Sequence, residues 1–439
     1  MILLFFFLPS LIFSAYFEVP KLPGQDFELE SKQYAGYLNV SKNHRLFYWL
    51  AESENNKSTD PLVFWFNGGP GCSSLAGLFS LNGPMKLNPD AQTFRKNKFS
   101  WTKFASIVYL ETPAPTGFSY STDDQISEDD IESTTDNYEA LKLFFQDFPQ
   151  YLKHDVFFTG ISYAGTFIPM LAERILSKNE LPINLKGIAI GNGFFNDNLN
   201  SKTSYVYAYT HGLIDEDIYH ETIEGCCGKT TFDKCDISNK ENKDCETIND
   251  HPLRITYEGI NSYNIYAKCE DTSWMDTIIP KRYEAPIGSC NSESSDLDIY
   301  LNRPDVREIL RIPSNVGKWT HCHTNPYYYV CKYDMDEYMK TVLKNNVTTL
   351  LYHGEADLVC NFMMGQQFAA RIHTEKERTR AVNFLVNNVA AGYRTRYENL
   401  IFLTIRNAGH AIAQTHPKLD FEMHRAFLNG EEIQNLTTD

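Results

Sequence analysis

Short, almost wholly apolar runs punctuate the chain and end on glycine- or asparagine-rich turns. Residues 46–50 and 61–66 predict two strands separated by a polar loop over 52–60, and the second runs into Asn67-Gly68-Gly69-Pro70-Gly71. Residues 105–110, 155–159, 185–190, 349–352 and 400–405 predict further strands of the continuous apolar kind that is buried on both faces. Between them, Tyr138, Leu141, Phe144, Phe145 and Phe148 follow an acidic stretch over 123–132 at helical spacing, and residues 163–177 read as a second helix despite Pro169. Strands alternating with helices predict an α/β sheet with helices on both faces. That rhythm stops over residues 195–317, which are polar and rich in Cys and Tyr, and a cap inserted into the core is expected there. The expected organisation is therefore a core over 16–194, the cap over 195–317 and the rest of the core over 318–439.

The first residues change the compartment. Residues 2–13 are apolar apart from Pro9 and Ser10, and Ser14 and Ala15 follow, as in a secretory signal peptide over 1–15, although no Lys or Arg precedes the run. The run is too short to span a bilayer, and no later stretch is apolar enough, so no membrane anchor is expected in the mature chain. Entry to the secretory route, with a secreted or lysosomal destination, permits disulfides among the 10 cysteines. It also makes the sequons at Asn39, Asn56, Asn346 and Asn435 glycosylation candidates. The 439 residues carry a formal charge of −16, which disfavours nucleic acid as a partner.

Candidate chemistry begins at Gly160-Ile161-Ser162-Tyr163-Ala164, where a predicted strand gives way to a helix. Such a turn lifts a serine hydroxyl clear of the backbone and points a helix amino terminus at a developing oxyanion. Ala164 stands where the common motif has its second glycine, so the match is partial. Asp357 and His410 each lie in a loop just past an apolar strand, and the order Ser…Asp…His is that of the α/β hydrolases.

Longer motifs sharpen the reading. Residues 67–74 (NGGPGCSS), 117–120 (GFSY), 191–193 (GNG), 300–306 (YLNRPDV) and Asp357 with Cys360-Asn361 together resemble the serine carboxypeptidase family, of the lysosomal cathepsin A type. The resemblance extends over most of residues 22–430. It implies an α/β-hydrolase fold with a central mixed, mostly parallel sheet and an inserted cap. It implies a serine-type carboxypeptidase acting on peptides or proteins with a free C-terminus, without metal or cofactor, and a possible homodimer. Ser162 would be the nucleophile, His410 the proton carrier and Asp357 its orienting acid, with the N–H groups of Gly69 and Tyr163 as oxyanion hole. Asn67, supported by Trp65, and the N–H of Gly68 would hold the substrate carboxylate.

The sequence departs from that family at two positions where relatives carry carboxylic acids that also bind this carboxylate. Leu81 and Ile161 stand there instead. Replacing both acids leaves neither stranded in an apolar site, so an altered subsite in a sound core is expected. Ala411 and Ala413 replace bulkier residues after His410, and Glu355 stands for the usual Asp. These changes keep two alternatives open: another serine hydrolase (esterase, amidase or acyltransferase), and a largely non-catalytic protective or binding protein.

His321-Cys322-His323 and Cys226-Cys227 suggest zinc by residue type alone. The resemblance implies disulfides instead: Cys72–Cys322, Cys226–Cys245, Cys227–Cys235 and Cys269–Cys290. Cys360 matches a position often free near the family's active site, and Cys331 is left unassigned.

Overall fold

The computed structural model describes residues 15–123, 129–228, 235, 237, 260–267, 294–323, 334–373 and 379–438. The expectations for residues 1–14, and for Cys245, Cys269, Cys290 and Cys331, lie outside the described residues.

The amino-terminal part contains β1 (Ala15–Glu18), β2 (Gln33–Leu38), β3 (His44–Ala51), β4 (Leu62–Phe66), a small hairpin of β5 (Met85–Leu87) and β6 (Phe94–Lys96), then β7 (Ser106–Leu110) and β8 (Tyr120–Ser121). Two αβ units follow: α1 (Asp130–Asp147) with β9 (Asp155–Ile161), and α2 (Ala164–Lys178) with β10 (Asn184–Gly191). Next come α3 (Asp197–Thr210), α4 (Glu216–Cys227), α5 (Ser294–Leu301), α6 (Pro304–Ile309) and α7 (Asp336–Lys344). The chain then forms β11 (Thr348–Gly354), α8 (Phe362–Ile372), β12 (Val382–Val386), β13 (Val389–Tyr397), β14 (Leu400–Ile405), α9 (Ile412–Thr415), α10 (Pro417–Leu428) and β15 (Asn435–Leu436).

One large sheet runs in the order β1-β2-β3-β7-β4-β9-β10-β11-β14-β13-β12-β15, with β8 paired to β3. Its six central strands, β7 to β14, are all parallel, and antiparallel pairs flank them. The parallel strands read as unbroken apolar runs because each face meets its own core. In β4, Val63 and Trp65 join one core, while Leu62, Phe64 and Phe66 join the other. Leu141, Phe144 and Phe145 of α1 and Ile168 and Leu171 of α2 cover the second face. Leu419, Met423 and Phe427 of α10 cover the first. Packing on that first face already resumes at Leu297, Tyr300 and Val306, ahead of Lys318, whereas Tyr205, Ile214, Cys226 and Cys227 belong to a small separate cluster.

Helix α1 starts at Asp129, whose carboxylate accepts from the N–H groups of Ile131 and Glu132, with Asp130 and Glu132 in the first turn. Two of the expected disulfides, Cys72–Cys322 and Cys227–Cys235, are formed. Cys226 is also disulfide-bonded, and Cys360 is buried and free. Among the described residues no helix is long and apolar enough to cross a membrane.

Candidate active site

Five neighbouring strands deliver the site. The carboxyl ends of β4, β9, β10, β11 and β14 lead directly into Asn67, Ser162, Asn192, the loop of Asp357 and the loop of His410. Residues far apart in sequence thus converge because parallel strands end on the same edge of the sheet.

Ser162 follows β9 with φ +63°, a left-handed conformation that few non-glycine residues adopt. The turn is fixed by main-chain bonds. Ser162 N–H is shared between the carbonyls of Gly191 and Asn192 at 3.1 Å each, and Ser162 C=O accepts from Phe194 N–H at 2.8 Å. A side chain at Gly160 would fall 2.7 Å from the Ala164 Cβ. The absence of one at 160 makes room for alanine where the common motif has glycine.

Tyr163 opens α2, and its hydroxyl donates to Asp130 Oδ1 at 2.7 Å. Across from it lies the glycine-rich loop. An added Cβ at Gly68 would lie 2.5 Å from Tyr163 N and 2.8 Å from Ser162 Oγ. Gly69 holds φ +116°. Cys72–Cys322 ties the same loop to the returning chain, and because its sulfurs are joined to each other, the cluster of Cys72, His321 and Cys322 offers no thiolate. The Trp65 indole donates to Asn67 Oδ1 at 2.7 Å. Asn67 is buried.

Asp357 is fully buried and its Oδ2 lies 2.7 Å from His410 Nδ1. The carboxylate also accepts from Val359 N–H, Cys360 N–H and Asn192 Nδ2, the last at 2.9 Å. Asn192 was recognisable within its motif, but nothing in the motif pointed to this contact. It sits at φ +38°, and its Oδ1 accepts from Gly354 N–H at 2.9 Å, so one amide ties the acid to the end of β11. Asn192→Ala is expected to lower kcat roughly 10- to 100-fold with a smaller change in KM. Steady-state kinetics over pH 4–8 check this; unchanged kcat would remove Asn192 from the machinery.

A second element escaped the sequence altogether. Residues 260–267 lie against the loops of both Asp357 and His410. Ser262 C=O accepts from Leu358 N–H at 2.9 Å, Ile265 N–H donates to Ala356 C=O at 2.9 Å, and Tyr263 C=O accepts from His410 N–H at 2.8 Å. The segment thus brackets Asp357 and holds His410. A Cβ on Gly409 would lie 2.7 Å from the Tyr263 carbonyl, so the close approach depends on that glycine.

Leu81 is buried in the apolar cluster that also packs against Ile161 and Ala411. Both departures from the family pattern expected from the sequence therefore lie in or against the core of the first sheet face.

Behind the loop, Glu111 is fully buried. It accepts from Ser73 Oγ, from Trp319 Nε1 at 3.0 Å and from Phe118 N–H at 2.7 Å. Burial outweighs these donors and pushes its carboxyl from the ordinary 4.5 to about 7. The folded state therefore holds this proton more tightly than the unfolded chain. Its contribution is complete below about pH 4.5 and is lost as pH rises through 7, a change of about 3 kcal/mol. Denaturation at pH 4.5 and 8 is expected to show that slope in the natural chain and its loss in Glu111→Gln; equal slopes would contradict the assignment.

A serine, an acid-supported histidine and a glycine-rich loop at the rim of a central parallel sheet define a serine hydrolase of the α/β-hydrolase class. Residues 23–430 match the profile of the serine carboxypeptidase family, and the chain belongs to that family. It is 34% identical to the lysosomal protective protein of Mus musculus, with 94% of each chain covered. It is also 34% identical to a serine carboxypeptidase of Caenorhabditis elegans, covering 94% of this chain and 93% of the relative. Among solved structures, the prohormone-processing carboxypeptidase Kex1Δp of Saccharomyces cerevisiae shares the fold, with a TM-score of 0.76 over 96% of this chain and 99% of that one, at 21% identity. The protein is a serine-type carboxypeptidase enzyme.

Proposed function

We propose that Ser162 is the nucleophile that releases C-terminal amino acids from peptides or proteins. The observation that carries this assignment is the 2.7 Å contact between His410 Nδ1 and Asp357, with Ser162 held on a left-handed turn at the end of β9, a parallel strand of the same sheet separated from β11 only by β10. Ser162 Oγ attacks the scissile carbonyl carbon while His410 takes the hydroxyl proton and Asp357 stabilises the imidazolium. The N–H groups of Gly69 and Tyr163 receive the oxyanion. His410 then protonates the leaving amine, the terminal amino acid departs, and water repeats the sequence on the acyl-enzyme. Asn67, oriented by Trp65, and the Gly68 N–H bind the terminal carboxylate. Passage through the secretory pathway, with glycans on the exposed Asn56, Asn346 and Asn435 and on the partly buried Asn39, belongs to the same reading, as does a homodimer.

An organophosphorus serine probe is expected to label the peptide containing Ser162, and not to do so in His410→Ala. Labelling at another serine would overturn the assignment.

Leu81 and Ile161 make carboxylate recognition rest on Asn67 and main-chain donors, with a flatter dependence on acidity than an acid pair gives. Leu81→Glu alone is expected to cost about 3 kcal/mol, because one acid is stranded in buried apolar surroundings, and Ile161→Glu, at a partly exposed position, less. The double variant should recover part of that stability and gain turnover below pH 5. Denaturation and peptide hydrolysis at pH 4–7 check this, and a double variant with the natural pH profile would contradict it.

A further inference from the structure

We propose a second ligand site on the outer side of the catalytic loops, built for a zwitterion: a free amino acid or a short peptide with both termini free. A cavity of about 510 Å³ opens between the insert segment 260–267, α8, β13 and the loops that follow β11 and β14. That volume lies within the range of about 300–1,000 Å³ of small-molecule sites. Its walls include His211, Tyr266, Glu355, Phe362, Tyr393 and Arg406.

Three features select the ligand. First, the rings: Tyr266 and Tyr393 are 69% and 55% exposed, so two large aromatic surfaces stand in water at this cavity, where they can cover an apolar side chain. Second, the charges: among the described residues the cavity is lined by one carboxylate, Glu355, and one guanidinium, Arg406. Glu355 accepts a bond from Thr404 Oγ1 at 3.0 Å, which fixes its orientation. Arg406 is exposed, and its guanidinium has no partner among the described residues. A neutral sugar would leave both charges unanswered, and a simple anion or cation would answer one. A ligand carrying an ammonium and a carboxylate answers both, with Glu355 facing the ammonium and Arg406 the carboxylate. Third, the supply: each turnover of a carboxypeptidase releases an amino acid and leaves a shortened peptide, and both carry that pair of charges when the peptide's amino terminus is free.

The position gives such a ligand influence. Glu355 lies two residues before Asp357, Arg406 four before His410, and Tyr266 sits on the segment whose main chain brackets them. An occupant touching all three joins the insert to the loops that carry the acid and the base.

The test uses the full-length glycosylated protein with Ser162 blocked by an organophosphorus reagent, so binding is read independently of turnover. L-Phenylalanine and glycyl-phenylalanine are titrated by calorimetry beside N-acetyl-phenylalanine, which lacks the ammonium, and phenylalaninamide, which lacks the carboxylate. The site predicts saturable binding of at least one zwitterion and at least about tenfold weaker binding of both capped forms. It also predicts at least about tenfold weaker zwitterion binding in Arg406→Gln, with phenylalaninamide unaffected. The tighter of the two zwitterions identifies the source, released residue or trimmed peptide, and either ranking sustains the proposal. Capped and free forms binding alike, affinity unchanged in Arg406→Gln, or no zwitterion binding at all would overturn it. Saturable binding of mannotriose in place of the zwitterions would overturn it in favour of a carbohydrate site. Because Ser162 is blocked throughout, such a result would leave the assignment of the catalytic serine untouched.

Discussion

Ser162→Ala is expected to lower kcat by about 10⁶-fold while the protein stays folded. The size follows from removing the atom that would form the acyl-enzyme in the proposed mechanism, which leaves only the oxyanion donors and substrate binding. Folding should survive because the bonds that fix this turn use the main chain: the N–H of residue 162 to Gly191 and Asn192, and its carbonyl to Phe194. Alanine carries the same backbone atoms. The comparison is made on matched preparations, with circular dichroism and thermal melting beside peptide hydrolysis. Retained hydrolysis by a folded variant would place the nucleophile elsewhere.

Gly68→Ala is expected to reduce kcat/KM about 10³-fold, the scale of losing an oxyanion donor. Gly68 is not among the residues with positive φ, so alanine imposes no backbone strain there. The effect is steric: the new methyl would crowd Tyr163 N at 2.5 Å and Ser162 Oγ at 2.8 Å, filling the space in which the oxyanion would form. Gly317→Ala is the control, since nothing lies within 4 Å of a Cβ there. Kinetics and the rate of organophosphorus labelling should fall together in Gly68→Ala and stay natural in Gly317→Ala. A fully active Gly68→Ala enzyme would mean that the oxyanion forms elsewhere.

The parallel strands were legible because both of their faces are buried. Residues 400–405 form β14 with the predicted limits, and residues 155–159 extend by two residues to Ile161 as β9. The β12–β13 hairpin gave no such signal, since Val382, Val389 and Tyr393 are left exposed and polar residues interrupt the run. Ser162, Asp357 and His410 were legible for a related reason, each lying just past an apolar strand. What stayed hidden depends on contacts without a local pattern. Asn192 reaches Asp357 across 165 residues, through adjacency of strands alone. The 260–267 segment holds the Asp357 and His410 loops by main-chain bonds, which leave no side-chain signature, and it lies in a polar stretch that reads only as an interruption of the core. Leu81 and Ile161 were conspicuous as departures from a pattern, but only the fold places them against one apolar cluster.

The proposed function requires that this site recognise a free terminal carboxylate without an acid pair and cleave beside it through Ser162. The most direct measurement offers the natural protein and Ser162→Ala a blocked dipeptide as the free acid and as the amide, from pH 4 to 8, with released product quantified by mass spectrometry. Ser162-dependent release that favours the free acid is expected, with a flatter dependence on acidity than an acid pair gives. Equal or faster cleavage of the amide, or release that survives in Ser162→Ala, would contradict it.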